Sequence, residues 1–599
     1  MNFGKTFIIL FLVTVSFSVN AQDDLNKTVH VTTTYDPIIS DAEKIELPPK
    51  FSDTLFSIKT TYEYSIKPQE IMSNVVLRPI SAAKINENEY KDPKWFYAKL
   101  GVGYPLRFSG DIYMQNLKPE NLSYGLFYNH RSLWAKTDRQ DEEKVPVNEL
   151  NHSMTAYLRK NFEKAALNLN GGFEHHNVIF YGYNPAVAKR SGYKFDKDSL
   201  LQTYLSFNFA ARVNSLQTKN SPFVYDIKFL FDRFGDNGKN KFSSGRAFAM
   251  NENKLGLDLA FGRTLGKSHS VSLNADVNFF IDNLSYNKKF EGYKNIAYNS
   301  LYNSLYGLNG TGKNISRNNY IFNIAPQYSF SSENLKLELG VKYAIYRKNY
   351  SGTKGNLYPV AGIQYKLAEE FIPFAGINGE MIMNDYKSTV AENPYITPGI
   401  NIEMKPTNCA YSIRIGAKGN VENIFAYNVY GKYSLINDYY FYKNSDNHIN
   451  FITLGNNFDA VYDDVQQLKL GADMKILAGP VSATMSVAYF SYILDRLKAA
   501  FYCPDLIGSL VIEAAVTKSF KIGFNANVNT KYPYFYSAAT EETFYEDSYF
   551  CMGLSAEYLC NRDFSIFINA DNILNNKAGF WHGYNTVGLG IMGGITFKF

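Results

Sequence analysis

The chain has 599 residues, with 61 Lys and Arg against 56 Asp and Glu, and its aromatic fraction of 16% sits in a mildly polar background of mean hydropathy −0.26. A net charge of +5 is small for this length and gives no case for nucleic-acid binding. The 47 Tyr and 45 Phe suit strands with one lipid face and one wet face, bounded by aromatic girdles, better than a string of soluble domains.

Lys5, the apolar run from Phe7 to Phe17 and Val19-Asn20-Ala21 predict a secretory signal peptide over residues 1–21. The run is too short to span a membrane with ordinary flanks, and no other run approaches that length. The chain is therefore expected to be exported without a helical anchor. Residues 22–92 differ from the remainder of the chain: they contain Pro37, Pro48, Pro49, Pro68 and Pro79 and only short alternating patches. Proline removes ladder donors and fixes extended geometry, so this stretch is expected to be an extended arm, periplasmic or threading a lumen. Asp53-Thr54-Leu55 fits a short O-glycosylation pattern, but a tripeptide carries little weight.

From Trp95 onward apolar and polar residues alternate repeatedly. Leu255, Leu257, Leu259 and Phe261 interleave with Gly256, Asp258, Ala260 and Gly262. Val271 to Phe279 interleave with Ser272, Asn274, Asp276 and Asn278, and Leu335 to Tyr343 with Lys336, Glu338, Gly340 and Lys342. Alternate strand residues point to opposite faces, so each segment has one greasy and one wet face. Short turns near Lys118–Glu120, Phe162–Lys164, Leu265–Lys267, Ser331–Glu333 and Leu367–Glu369 alternate with long polar loops. The long loops are placed near Leu133–Glu149, Gly182–Ser199, Gly235–Gly245, Leu284–Ser316 and Asp385–Pro398. The order holds throughout if Gly399–Met404 is loop and Cys409–Lys418 is the spanning strand. The prediction is an all-β, transmembrane antiparallel barrel of about 22 strands over residues 93–599, with both termini periplasmic. Asp258, Asn274, Asp276, Asn278, Lys336, Glu338 and Lys342 are the candidate lumen-lining residues.

No constellation demands an enzyme: there is no HExxH, Walker-type loop or GxSxG, and no catalytic, cofactor or metal site is predicted. His175 and His176 are strand neighbours pointing opposite ways, so they cannot chelate one metal in a regular strand. Cys409, Cys503, Cys551 and Cys560 show no CxxC spacing; a Cys503–Cys551 bridge and free buried thiols both stay open. The clusters Tyr181-Gly182-Tyr183, Tyr439-Tyr440-Phe441-Tyr442 and Tyr532-Pro533-Tyr534-Phe535-Tyr536 lie at strand–loop junctions and are read as membrane-interface girdles.

The segment from Gly588 to the terminal Phe599 resembles the C-terminal strand of bacterial outer-membrane barrels, with Ile595, Phe597 and Phe599 as the signal for the insertion machinery. Thr28-Val29-His30-Val31-Thr32 resembles a TonB box, a strand offered to a periplasmic coupling protein by strand addition. Tyr35 to Ile45, Tyr64-Ser65-Ile66, Lys99 to Gly103, Tyr181-Gly182-Tyr183, Asn572 to Asn576 and Trp581 to Tyr584 together resemble a Bacteroidota family of TonB-dependent receptor-like barrels. The resemblance implies an outer-membrane transport protein in contact with lipid, with TonB or another periplasmic or surface partner engaged through residues 22–92. No stretch corresponds to the folded plug of such receptors, so a non-transporting scaffold and a passive porin stand as alternatives.

Overall fold

The computed structural model describes residues 94–116, 121–139, 143–183, 200–216, 223–236, 248–286, 315–348, 352–396, 404–444 and 456–599. Its strands are β1 (Phe96–Tyr104), β2 (Arg107–Gln115), β3 (Leu122–Asp138), β4 (Lys144–Asn161), β5 (Ala165–Ile179), β6 (Leu201–Ser215), β7 (Phe223–Asp236) and β8 (Phe248–Leu265). Next come β9 (His269–Tyr286), β10 (Ile315–Ser331), β11 (Leu335–Arg347), β12 (Lys354–Tyr365), β13 (Ile372–Ile382), the helix α1 (Tyr386–Glu392), β14 (Thr407–Val421), β15 (Phe425–Asn444) and β16 (Phe458–Ala478). The chain finishes with β17 (Val481–Leu494), β18 (Leu506–Ala515), β19 (Phe520–Asn529), a small hairpin of β20 (Tyr532–Ser537) and β21 (Glu542–Glu546), then β22 (Tyr549–Leu559), β23 (Phe564–Asp571) and β24 (Gly590–Lys598).

Every strand except β20 and β21 belongs to one 22-stranded sheet in which each pairs antiparallel with its sequence neighbours, β19 passing to β22. The sheet closes where β1 meets β24, from Tyr97 opposite Lys598 to Tyr104 opposite Ile591. Closure removes both edges, so backbone donors and acceptors are satisfied within the ladder, which is what hydrocarbon demands of a strand structure. The predicted barrel and its strand number are as observed. Cys409–Lys418 falls inside β14, and residues 399–403 lie outside the described residues.

Alternation sorts the side chains. Leu100, Val102, Leu255, Leu257, Phe279, Leu339, Val341 and Ile591 are exposed on the outside, as lipid-facing residues must be. At the seam the inner face is pared to glycine because Phe567 lies flat across it. A Cβ on Gly594 would come within 2.0 Å of the Leu100 carbonyl oxygen and 2.5 Å of the Phe567 ring. Lys99 Nζ then sits 4.3 Å from the centre of that ring.

One loop expectation fails and another gains a helix. The stretch Leu133–Glu149 is mostly strand, since β3 runs to Asp138 and pairs with β4 from Lys144. Charged and polar residues there read as loop, yet they simply continue the ladder beyond the apolar band, with Trp134 outward and exposed near the changeover. The region Asp385–Pro398 contains α1, capped by Asp385 accepting from the Ser388 backbone N–H at 2.7 Å.

An arginine at the outward Leu257 costs about 2–4 kcal/mol at mid-membrane. Leu257→Arg is expected to lower the yield of heat-modifiable barrel, whereas the inward substitution Asp258→Asn leaves it unchanged; equal yields would mean the faces are reversed. Loss of Phe599 is expected to reduce insertion measured the same way.

Candidate functional site

Twenty-two strands at about 4.8 Å spacing and ~40° tilt enclose a barrel about 40 Å across, far wider than facing side chains can bridge. The mouth away from the termini is nevertheless crossed. Phe180 follows β5 and Asn456 precedes β16, eleven strands round a barrel of 22 and so on opposite walls. Asn456 Nδ2 donates to the Phe180 carbonyl oxygen at 2.9 Å.

The loops after β5, β13, β15 and β23 carry the crossing, leaving the rim at intervals of eight, two, six and six strands. Loops leaving the rim on several sides thus meet inside the mouth. They meet through aromatic rings. Phe180 abuts Tyr395 edge-on at 5.5 Å, Tyr395 stacks on Tyr584 at 3.6 Å, and Tyr181 meets Tyr584 edge-on at 5.0 Å. Offset and edge-on pairs each contribute about 0.5–1.5 kcal/mol beyond the burial of the rings. The hydroxyls are used as well: Tyr181 donates to the Asn585 carbonyl at 2.8 Å, Tyr584 to the Asn456 carbonyl at 2.6 Å and Tyr204 to the Pro394 carbonyl at 2.7 Å. Gly583, at φ +84°, allows its backbone to approach Gly182, where a Cβ would lie 2.7 Å from the carbonyl oxygen.

Beneath one side of this junction Phe458, Tyr502, Tyr532, Phe580 and Trp581 form a continuous buried cluster. Helix α1 is tied in by polar groups. Tyr386 donates to Asp236 and its backbone N–H to Glu252, Lys387 pairs with Asp232 at 2.6 Å, and Glu392 accepts from both Tyr440 and Tyr442. The girdle expectation is thereby corrected for Tyr181, Tyr183, Tyr439, Phe441, Tyr442 and Tyr532, which are buried in the cap. A signal for this was present: in a strand only alternate residues of Tyr439-Tyr440-Phe441-Tyr442 can face lipid, so four consecutive aromatics need something to pack on both sides.

The cap also buries acids. Glu149 stands above Leu150, the last apolar residue on the outer face of β4, and is buried with Oε2 unpartnered.

The other candidate residues lie elsewhere. Asp258, Asn274, Asp276, Asn278, Lys336, Glu338 and Lys342 are on the inner wall of β8, β9 and β11. Asp258 stands opposite Asp276 and Lys228 in register. Asp276 accepts from Asn323 at 2.9 Å and Asn278 at 3.3 Å, and Lys342 lies within electrostatic reach. Ile595, Phe597 and Phe599 follow the outward set of β24. Thr28, Val29, His30, Val31 and Thr32 lie outside the described residues. His176 meets the buried Tyr204, while His175 is on the outer face beside His152. Among the described residues no group of three or more acidic, His or Cys side chains is arranged to hold a metal ion, and all four cysteines are free, so Cys503 and Cys551 are not bridged.

No protein-family model matches the chain, and no curated protein does. Solved structures do. The FrpB iron transporter from Neisseria meningitidis aligns over 85% of this chain and 83% of its own at TM-score 0.63 and 12% identity. The siderophore receptor PirA from Acinetobacter baumannii aligns over 84% and 80% at 0.62 and 11%. The ferric-catecholate import receptor Fiu from E. coli K12 aligns over 85% and 82% at 0.60 and 11%. The fold is that of the TonB-dependent outer-membrane receptor barrel. At these identities the likeness concerns the fold alone.

Proposed function

We propose that this chain is an outer-membrane conduit, taking part in solute transport, whose outer mouth is held shut by its own loops. The observation that carries the reading is the junction of Phe180, Tyr395 and Tyr584 across a barrel of the receptor type. A passive porin needs a standing opening, and loops that meet across the mouth oppose one. The neighbours' descriptions, an iron transporter, a siderophore receptor and a ferric-catecholate import receptor, support an importing role.

Residues 1–21 serve as the export signal, and residues 22–92 as a periplasmic arm. Strand addition through Thr28–Thr32 would give a coupling protein of the TonB kind a handle, since an exposed extended segment is all that mode requires. Polar inner-wall residues such as Asp258, Asp276 and Lys342 would then form the wet path. Opening the cap means separating several buried ring pairs; truncation of one buried aromatic alone costs about 3–5 kcal/mol. Such a closure stays shut thermally and yields to an applied force or to a ligand that binds the open arrangement.

In planar bilayers the intact chain is expected to show little steady conductance, while the double variant Tyr395→Ala with Tyr584→Ala shows large steady channels. Large steady channels from the intact chain would instead make it a porin.

A further inference from the structure

The hairpin of β20 and β21 stands outside the 22-stranded sheet, inserted between the mouth ends of β19 and β22, which pair directly with each other up to Asn529 and Tyr549. Its first strand is the one fixed to the cap. Tyr532 is buried against Tyr502 and Phe580, Tyr534 lies flat on His582 at 3.9 Å, and the Tyr502 backbone N–H donates to the Pro533 carbonyl at 2.8 Å. The second strand adds one tie, from Glu546 to His582. Its register with β20 runs from Glu542 opposite Ser537 to Glu546 opposite Tyr532, and among the described residues no other backbone bonds to it. One edge of β21 is therefore open.

The same strand is bare on both faces. Phe544 and Tyr545 are consecutive and so point to opposite sides, yet they are 40% and 53% exposed. An open strand edge carrying exposed aromatic rings is a template to which another extended chain adds, with main-chain hydrogen bonds giving affinity and the side chains giving selectivity. Folds usually blunt such an edge with lysine, proline or a covering loop. Here the flanks are acidic instead. Glu541 and Glu542 precede the two rings and Asp547 follows them, all three exposed, while the neighbouring cation, Lys531, rests 5.3 Å from the Tyr545 ring. Two copies of this edge laid side by side, in either direction, would set acids against acids, and like charges opposite one another on paired strands repel. The edge thus rejects its own kind and admits a strand of opposite sign.

We infer that β21 is a docking edge at the capped mouth, where an extended, lysine- or arginine-bearing segment of a partner protein adds to the hairpin as a third strand. This goes beyond the conduit reading and stands whether or not the barrel transports a solute. The purified full-length chain in a non-ionic detergent is titrated into a fluorescein-labelled seven-residue peptide of alternating lysine and valine, with anisotropy as the readout. Saturable binding is expected. A peptide of alternating glutamate and valine is expected not to bind, and neither is one of alternating lysine and proline, which keeps the charge but cannot pair as a strand. The triple variant Glu541→Gln, Glu542→Gln and Asp547→Asn is expected to weaken binding of the lysine–valine peptide by about tenfold, with heat modifiability confirming that the barrel folds. Absence of binding by that peptide overturns the docking edge, as does an affinity that stays within twofold in the triple variant. Equal binding of the lysine–proline peptide would reduce the contact to adsorption of charge and overturn strand addition. Self-association of the chain that displaces the peptide would assign the edge to a second copy and overturn the cationic partner.

Discussion

Everything in this molecule depends on a backbone that has to close on itself. In hydrocarbon an unpaired strand edge is intolerable, so β1 must find β24, and the register from Tyr97–Lys598 to Tyr104–Ile591 completes the ladder. Closure with 22 strands fixes the circumference and with it a mouth that only loops can cross. The loops after β5, β13, β15 and β23 do so from several sides of the rim, and the rings of Phe180, Tyr181, Tyr395 and Tyr584 meet inside it. Sheet closure therefore dictates both the opening and the kind of structure able to shut it.

The two halves of the inner wall solve the charge problem differently. Around β7, β8 and β9 acids and bases meet or are hydrogen-bonded by amides, as at Lys387–Asp232 and Asn319–Asp282. Around β14 to β16, Arg414 and Lys469 pack on the Tyr430 ring, and Lys469 also on Phe490. The ion pairs and hydrogen bonds of the first arrangement hold α1 and the cap in place.

Much of the barrel was legible in the sequence because a period of two survives in every spanning strand. Leu255 to Phe261 and Val271 to Phe279 announced both their faces, and the short-turn, long-loop rhythm gave the strand order. Where strands rise past the lipid, that constraint vanishes: outward residues become polar, as at Asn148 beside Trp134, and ladder looks like loop. The cap was hidden for a related reason. Girdle and cap use the same tyrosines at the same strand ends, and only tertiary contacts hundreds of residues apart, such as Tyr181 with Asn585, distinguish them. The cation row was invisible because Arg414, Lys432 and Lys469 are far apart in sequence and become neighbours only through register. What the arm does belongs to residues 22–92, for which the sequence supplied a strand-like motif and proline-rich spacing.

Loops from opposite walls meet across the barrel and shut its mouth, and a cryo-electron-microscopy density map of the purified full-length chain would show this. Continuous density should bridge the mouth, with the Tyr395 and Tyr584 rings stacked on one another and Phe180 set edge-on beside them. Loops splayed outward around an open mouth, with those rings turned to solvent or lipid, would contradict it.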